Sequence, residues 1–379
     1  MSVNRILIIS LLWLLPGISI GETHEVDSDA DFFILGDITN DTIIAEKNVN
    51  ASLSTGDLTR LMALYVVFSA LDQGRIQLDE YVEISRAAAQ TPGARMFLVD
   101  GQRIQIKNLI ESVASYGAMD AMIALVEATS ESESDFVSDM NRMMRPLGLK
   151  ESRFVGVSDP NVHKNTSTPK DLYLLSRALI IDFPEYYHVF KKPQQEWNGL
   201  IQYNTNKLLG RDQHNDGLAA SVRANEGHVS AISAYRDQRR ILLILGQRDS
   251  EKKVLIESQR LVNLAFEDYT GLTLFGMNHS LIEATIVDST KTTLKIGTST
   301  PVGVSVPTAK LDLLNTKVET VQPVVAPIER GDLVGKLKIR IGEEVIKTLD
   351  LIALENAPKS GVFSRGWDKI KSFLLKIIE

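Results

Sequence analysis

The stretch TGDLTRLMALYVVFSALDQG, Thr55 to Gly74, decides how the rest of the chain is read. Leu58, Leu61, Met62, Tyr65, Val66 and Leu71 recur at helical spacing and fall on one face, and Gly74 ends the segment. Near its start Asp57 and Arg60 lie one turn apart. Paired across that turn and exposed, they would contribute about 0.2–0.5 kcal/mol. Asp57 also suits a helix N-terminus, where its charge meets free N–H groups. Outward from this helix, Phe32–Asp37 and Asp41–Ala45 read as a hairpin. Helical patterns run over 107–115, 120–128, 134–147 and 169–181, and Val229–Tyr235 and Arg240–Gly246 read as paired central strands. Strands at both ends with helices between predict an α/β domain whose termini share one sheet.

The composition changes after residue 270. From about Leu272 to Ala357 the chain is rich in Thr, Val, Ile and Lys, with turn signals at Arg330-Gly331-Asp332 and Ile341-Gly342-Glu343. Lys336–Ile341 alternates polar and apolar residues, which predicts a small all-β unit, a sandwich or barrel-like domain. The 379 residues suffice for two domains, each with its own core. A net charge of −7 without a basic stripe argues against a nucleic-acid partner. The lack of cysteine excludes disulfides, thiolate metal sites and cysteine nucleophiles. The six histidines lack metal-ligand spacing, so neither a metal nor another cofactor is expected.

Both ends carry their own signals. Residues 1–21 combine Arg5, an apolar run from Ile6 to Leu15, Pro16-Gly17, and small residues at Ser19 and Gly21. That is the layout of a secretory signal peptide cleaved after Gly21; the run falls short of the ~20 residues of a membrane span. In the tail, 359–379, Phe363, Trp367, Ile370, Phe373, Leu374 and Ile377 share one helical face, with Lys369, Lys371 and Lys376 mostly off it. This pattern predicts an interfacial helix lying on a membrane surface; the alternative is a helix packed on the protein's own core.

Several further runs, in order, carry a resemblance: Leu58-Thr59 before Leu61-Met62; Met96-Phe97-Leu98 with Gly101; Met140-Asn141 with Leu147-Gly148-Leu149 and Phe154; Thr168, Asp171 and Leu172; Asp216-Gly217; and Gly331, Val334, Gly335 and Lys336. Together with the two ends, they make the chain similar to the low-molecular-mass penicillin-binding proteins, the serine D-alanyl-D-alanine carboxypeptidases of bacterial cell walls. The resemblance implies a penicillin-binding, β-lactamase-like transpeptidase domain over 22–270, a β-sandwich domain over 271–358 and an amphipathic anchor over 359–379. It implies an exported protein on the periplasmic side of the inner membrane, acting on peptidoglycan.

That family works through three motifs, and all three are degenerate here. Where Ser-x-x-Lys would supply a nucleophile and its base, the chain has Asp57-Leu58-Thr59-Arg60. A carboxylate cannot form the needed ester, and arginine, with a pKa above ~12, cannot act as a base. Where Ser-x-Asn would stand, aligned through Asp120-Ala121, the chain has Gly117-Ala118-Met119, with Ser115 and Tyr116 close by in a shifted register. Where Lys-Thr-Gly would lie along a strand, Ala219-Ala220-Ser221 follow Leu218, and Arg223 is a candidate displaced cation for a substrate carboxylate. Ser-x-x-Lys recurs at Ser167–Lys170 and Ser250–Lys253; the first is explained by Thr168 as N-cap with Pro169, and the second reads as a charged turn.

Three vacancies inside recognisable flanks predict a pseudoenzyme. Its expected partners are peptidoglycan stem peptides or a cell-wall enzyme, and a membrane surface through the tail. The alternative is an active carboxypeptidase or related hydrolase with a non-standard nucleophile.

Overall fold

The computed structural model describes residues 26–158, 161–223, 227–247, 250–320 and 323–360, apart from the side chains of His163, Val222 and Arg223. The signal-like segment 1–21 and the tail residues Phe363, Trp367, Ile370, Phe373, Leu374 and Ile377 lie outside the described residues. Those described form two compact units, 26–272 with 303–309, and 273–302 with 310–360.

The first unit is built on a five-stranded antiparallel sheet. β1 (Phe32–Asp37) and β2 (Thr42–Lys47) form the expected hairpin. Between them and the later strands come α1 (Thr59–Asp72), α2 (Ile106–Tyr116), α3 (Met119–Thr129), α4 (Glu133–Met144) and α5 (Pro169–Asp182). A small hairpin, β3 (Gln194–Trp197) and β4 (Leu200–Tyr203), then leads to β5 (Asn215–Arg223), β6 (Gly227–Arg236) and β7 (Arg239–Gln247), and α6 (Glu251–Glu267) follows. The sheet order is β2-β1-β7-β6-β5, so the two chain ends of the unit meet in its centre.

Period-two alternation gives this sheet two buried faces. Phe32 and Ile34 on β1, with Leu242 and Ile244 on β7, face the core that holds α1 to α5. Phe33 and Leu35, with Ile241, Leu243 and Leu245, face the core under α6. Three helix starts have a local cause. Thr168 accepts from Asp171 N at 3.1 Å before Pro169, Ser132 accepts from Asp135 N at 3.1 Å, and Ser250 accepts from Lys253 N at 3.2 Å. The segment read as a charged turn at Ser250–Lys253 is therefore the capped start of a 17-residue helix.

The opening helix also departs from its expected form. Leu61, Met62, Ala63, Leu64, Val66, Val67 and Phe68 of α1 are all fully buried, so the helix is buried on nearly every side, Tyr65 being only partly exposed. Gly74 does end it, at φ +67°.

The second unit holds a six-stranded sheet: β8 (Ser280–Val287), β9 (Thr293–Gly297), β10 (Leu314–Thr320), β11 (Val324–Val325), β12 (Leu333–Ile341) and β13 (Glu344–Ala353). Its order is β10-β12-β13-β9-β8-β11, antiparallel except for β8 with β11. Leu337, Ile339 and Ile341 of β12 are buried and the residues between them are not, as the alternation requires. Gly342 makes the turn into β13 at φ +59°.

Candidate active site

Asp57 does not sit at the end of α1. It lies in a 3₁₀ turn, Gly56–Leu58, and neither that turn nor α1 has a side-chain cap. Its carboxylate is exposed. The backbone N–H of Asp57 donates to Ser221 Oγ at 3.1 Å, and that hydroxyl donates to Asp57 Oδ2 at 3.5 Å. Edge strand β5 is thus tied to the turn before α1.

Arg60 enters the first turn of α1 and points inward, only 3% exposed. The expected ion pair with Asp57 does not form. Arg60 Nη1 donates to the backbone carbonyl of Asp57 at 3.3 Å, and Nη2 donates to Thr205 Oγ1 at 2.5 Å. Nε is buried without a partner. A spacing of three fixes which turn two residues share, but the rotamer decides which atoms meet; here the guanidinium reaches a loop 145 residues away. Burial pulls the Arg60 pKa down to about 10, against the opposing pull of the Asp57 carboxylate. At neutral pH it keeps its proton.

The second motif position is a helix C-cap. Gly117 adopts φ +72°, with its N–H on Val113 O at 3.0 Å and the N–H of Ala118 on Ser112 O at 3.4 Å. A Cβ at Gly117 would stand 3.4 Å from Arg60 Nη1. The replacements at the first and second motifs are therefore neighbours, and any side chain at 117 would meet Arg60. Met119 N donates to Ala94 O at 2.7 Å, and its side chain covers Gly93, where a Cβ would meet it at 3.0 Å. Tyr116 and Ser115, the shifted-register alternatives, are buried with unpartnered hydroxyls. Burial raises the Tyr116 pKa.

At the third position Ala219 is fully buried in the core, and Ala220 N donates to Thr205 Oγ1 at 3.1 Å. Ser221, buried, makes the contacts to Asp57. Arg223 closes β5, and its side chain lies outside the described residues.

Asp57, Arg60, Gly117 and Met119 line one cavity of about 410 Å³ with Tyr116, Met122, Val157, Val162 and the 92–94 loop. Ala219 is not among its lining residues. Thr59 is the one hydroxyl residue in the lining besides Tyr116; its Oγ1 is shared with Thr55 Oγ1 at 2.7 Å and receives Asn165 Nδ2 at 2.9 Å. Among the described residues no serine or lysine lines the cavity, so that lining holds no serine–lysine pair for acyl transfer. The methionines and valines suit an apolar group, and the open carboxylate of Asp57 suits a cation or a donor. Sequence reasoning missed Thr205, which joins Arg60 to β5. A lone threonine after a hairpin gives no signal of such a role.

The spare Ser-x-x-Lys stretches serve as structure. Ser167 is 1% exposed and shares a hydrogen bond with Ser152 Oγ at 2.8 Å, and Ser250 caps α6. Among the described residues, no group of three or more His, Asp or Glu could hold a metal ion.

A buried central helix and a helix–helix turn lining one cavity, with an edge strand tied to the helix start through Ser221, define the class of a penicillin-binding peptidase fold. Residues 20–248 match the peptidase S11 family, D-alanyl-D-alanine carboxypeptidase, and residues 269–359 match the penicillin-binding protein 5 C-terminal domain. The chain belongs to the D-alanyl-D-alanine carboxypeptidase family. It is 29% identical over 357 residues to D-alanyl-D-alanine carboxypeptidase DacC of Escherichia coli, covering 92% of this chain and 89% of that one. It is 28% identical to DacD of Salmonella typhimurium, covering 89% and 88%. Among solved structures, penicillin-binding protein 5 of Haemophilus influenzae superposes with a TM-score of 0.84 at 22% identity, covering 88% of this chain and 99% of the other. Penicillin-binding protein 6B of Escherichia coli gives 0.73 at 25%, covering 88% and 98%.

Proposed function

We propose that this chain is a non-catalytic member of its family, a cell-wall-associated binding or scaffolding protein. The observation that carries the reading is Arg60: the residue in the base position is a buried guanidinium hydrogen-bonded to the Asp57 carbonyl and to Thr205. Such a group holds its proton, and Asp57 beside it cannot form an ester and later release it by hydrolysis. The ligand we assign to the cavity is a peptidoglycan stem peptide, the substrate class implied by relatives named D-alanyl-D-alanine carboxypeptidases; a cell-wall enzyme docked on the β unit is the other partner the reading admits.

In this reading 1–21 is an export signal, 22–270 the peptidase-like domain, 271–358 the β domain, and 359–379 an amphipathic helix holding the protein to the periplasmic face of the inner membrane. Fluorescent penicillin tests the chemistry. No covalent label is expected under conditions that label DacC, and a label lost on Ser54→Ala or Ser167→Ala would overturn the reading. Titration with a peptide ending in D-Ala-D-Ala tests the binding role: saturable heat is expected, and its absence would remove that role. Removal of residues 360–379 should release the protein from washed membranes.

A further inference from the structure

A second concavity lies in the same unit, away from the motif positions. It is an open cleft of about 820 Å³ between the 210–214 loop, the end of β6 and α6. Its floor is fixed. Asp212 Oδ1 accepts from His214 N at 2.9 Å, Asp212 Oδ2 accepts from Gln259 Nε2 at 2.8 Å, and Tyr235 N donates to His214 O at 2.8 Å. The loop is thereby pinned to both the strand and the helix.

Two arginines line this cleft, and neither guanidinium donates to an acceptor among the described residues. Arg236 lies over the Phe266 ring at 4.8 Å, and its Nε is buried without a partner. Arg211 is exposed on the loop. The neighbouring Arg239 shows what a satisfied arginine looks like in this fold: it donates to Asp37, Tyr269 O and Ala265 O. The carboxylate of Asp212 is already used on both oxygens, so the cleft presents two open guanidinium groups against one engaged carboxylate.

Gln259 Nε2 donates both to Asp212 Oδ2 at 2.8 Å and to Asn263 Oδ1 at 3.1 Å, which leaves Gln259 Oε1 and Asn263 Nδ2 for a ligand. We propose that this cleft binds an anionic sugar, its charged group received by Arg211 and Arg236 and its hydroxyls by Gln213, Gln259 Oε1 and Asn263 Nδ2. Guanidinium forks suit carboxylate or phosphate. The cleft is wide and open to solvent, so it suits a hydrophilic ligand held against its walls rather than an enclosed apolar one. The remaining wall is amide and imidazole, which offers hydrogen bonds to hydroxyls and neither an apolar pocket for a peptide side chain nor an open ring for a base.

Calorimetric titration of the whole chain with glucuronate, glucose 6-phosphate, glucose and inorganic phosphate tests this. Glucuronate or glucose 6-phosphate should bind at least about ten-fold more tightly than glucose and than inorganic phosphate, as a charge-assisted bond added to hydroxyl contacts implies. The tighter of the two tells whether the natural ligand carries a carboxylate or a phosphate. Arg236→Gln and Arg211→Gln should each weaken that probe about ten-fold; the second lies on an exposed loop, so its effect does not depend on a core change. Failure of both anionic sugars to saturate, equal affinity for inorganic phosphate, or unchanged affinity in both variants would overturn the proposal.

Discussion

The residues framing the cavity and the residues at its centre follow opposite rules. In the frame, Asp120, Asn141 and Asp171 are satisfied by hydrogen bonds, and the two aspartates are buried. Asp120 accepts from Met96 N at 2.9 Å and Leu98 N at 3.1 Å, holding the turn in which Phe97 takes φ +63°. Asn141 exchanges hydrogen bonds with the backbone of Phe154, and Asp171 accepts from Glu151 N and Ser152 Oγ, both at 2.8 Å. At the centre, Arg60 and Tyr116 carry buried unpartnered atoms, and Asp57 stands open. The difference teaches that in this chain the hydrogen bonds of the frame do not run through the motif positions.

The largest effect is expected in the frame. Asp120→Ala leaves two backbone N–H groups buried without acceptors and should lower stability by roughly 3 kcal/mol, read by urea unfolding. A loss under 1 kcal/mol would erase the contrast. Next comes Gly117→Ser, which puts a side chain at φ +72° and against Arg60 and should destabilise by about 1–2 kcal/mol. Arg60→Lys removes the guanidinium contact, so the two changes together should cost less than their sum by about 0.5 kcal/mol.

Arg60→Met should go the other way. It removes a buried cation with an orphaned Nε, and the unfolding midpoint should rise by an amount worth about 1 kcal/mol. A marked fall would show that the cation holds the centre together. The smallest effect belongs to Asp57→Ala, within about ±0.5 kcal/mol, because that carboxylate is exposed and caps nothing.

Alkaline pH sharpens the same contrast. Burial raises the pKa of Tyr65, Tyr173 and Tyr187 above the ordinary 10, reinforced at Tyr65 by Asp182 and at Tyr187 by Asp216. Their contribution is whole below pH 10 and is lost as pH rises through the raised values, since the unfolded tyrosines ionise first. Arg60 has the opposite sign: its pKa is lowered, so its unfavourable contribution is largest below pH 10 and fades above it. Three tyrosines outweigh one arginine, and tyrosinate absorbance should appear together with unfolding above pH 10. Gradual ionisation in the folded protein would contradict this.

Much of the frame was legible. Strand alternation, cap residues and the order of the flanking runs depend on local chemistry, and Thr168-Pro169 or Gly342 act where they stand. Three features were not. The residues of α1 between the expected apolar positions, such as Leu64, Val67 and Phe68, are apolar too, and an apolar circumference means burial on nearly every side. Glu251-Lys252-Lys253 hid the start of α6, because the charged first turn outweighed the Ser250 cap in the reading. The partner of Arg60 was out of reach, since Thr205 arrives by tertiary folding.

The proposal of a non-catalytic chain rests on a cavity lining without a serine–lysine pair among the described residues. The direct test is D-alanine release from a peptide ending in D-Ala-D-Ala by purified protein, beside DacC. Release at the rate of buffer alone is predicted; release well above it, with contaminating peptidase excluded, would contradict the account.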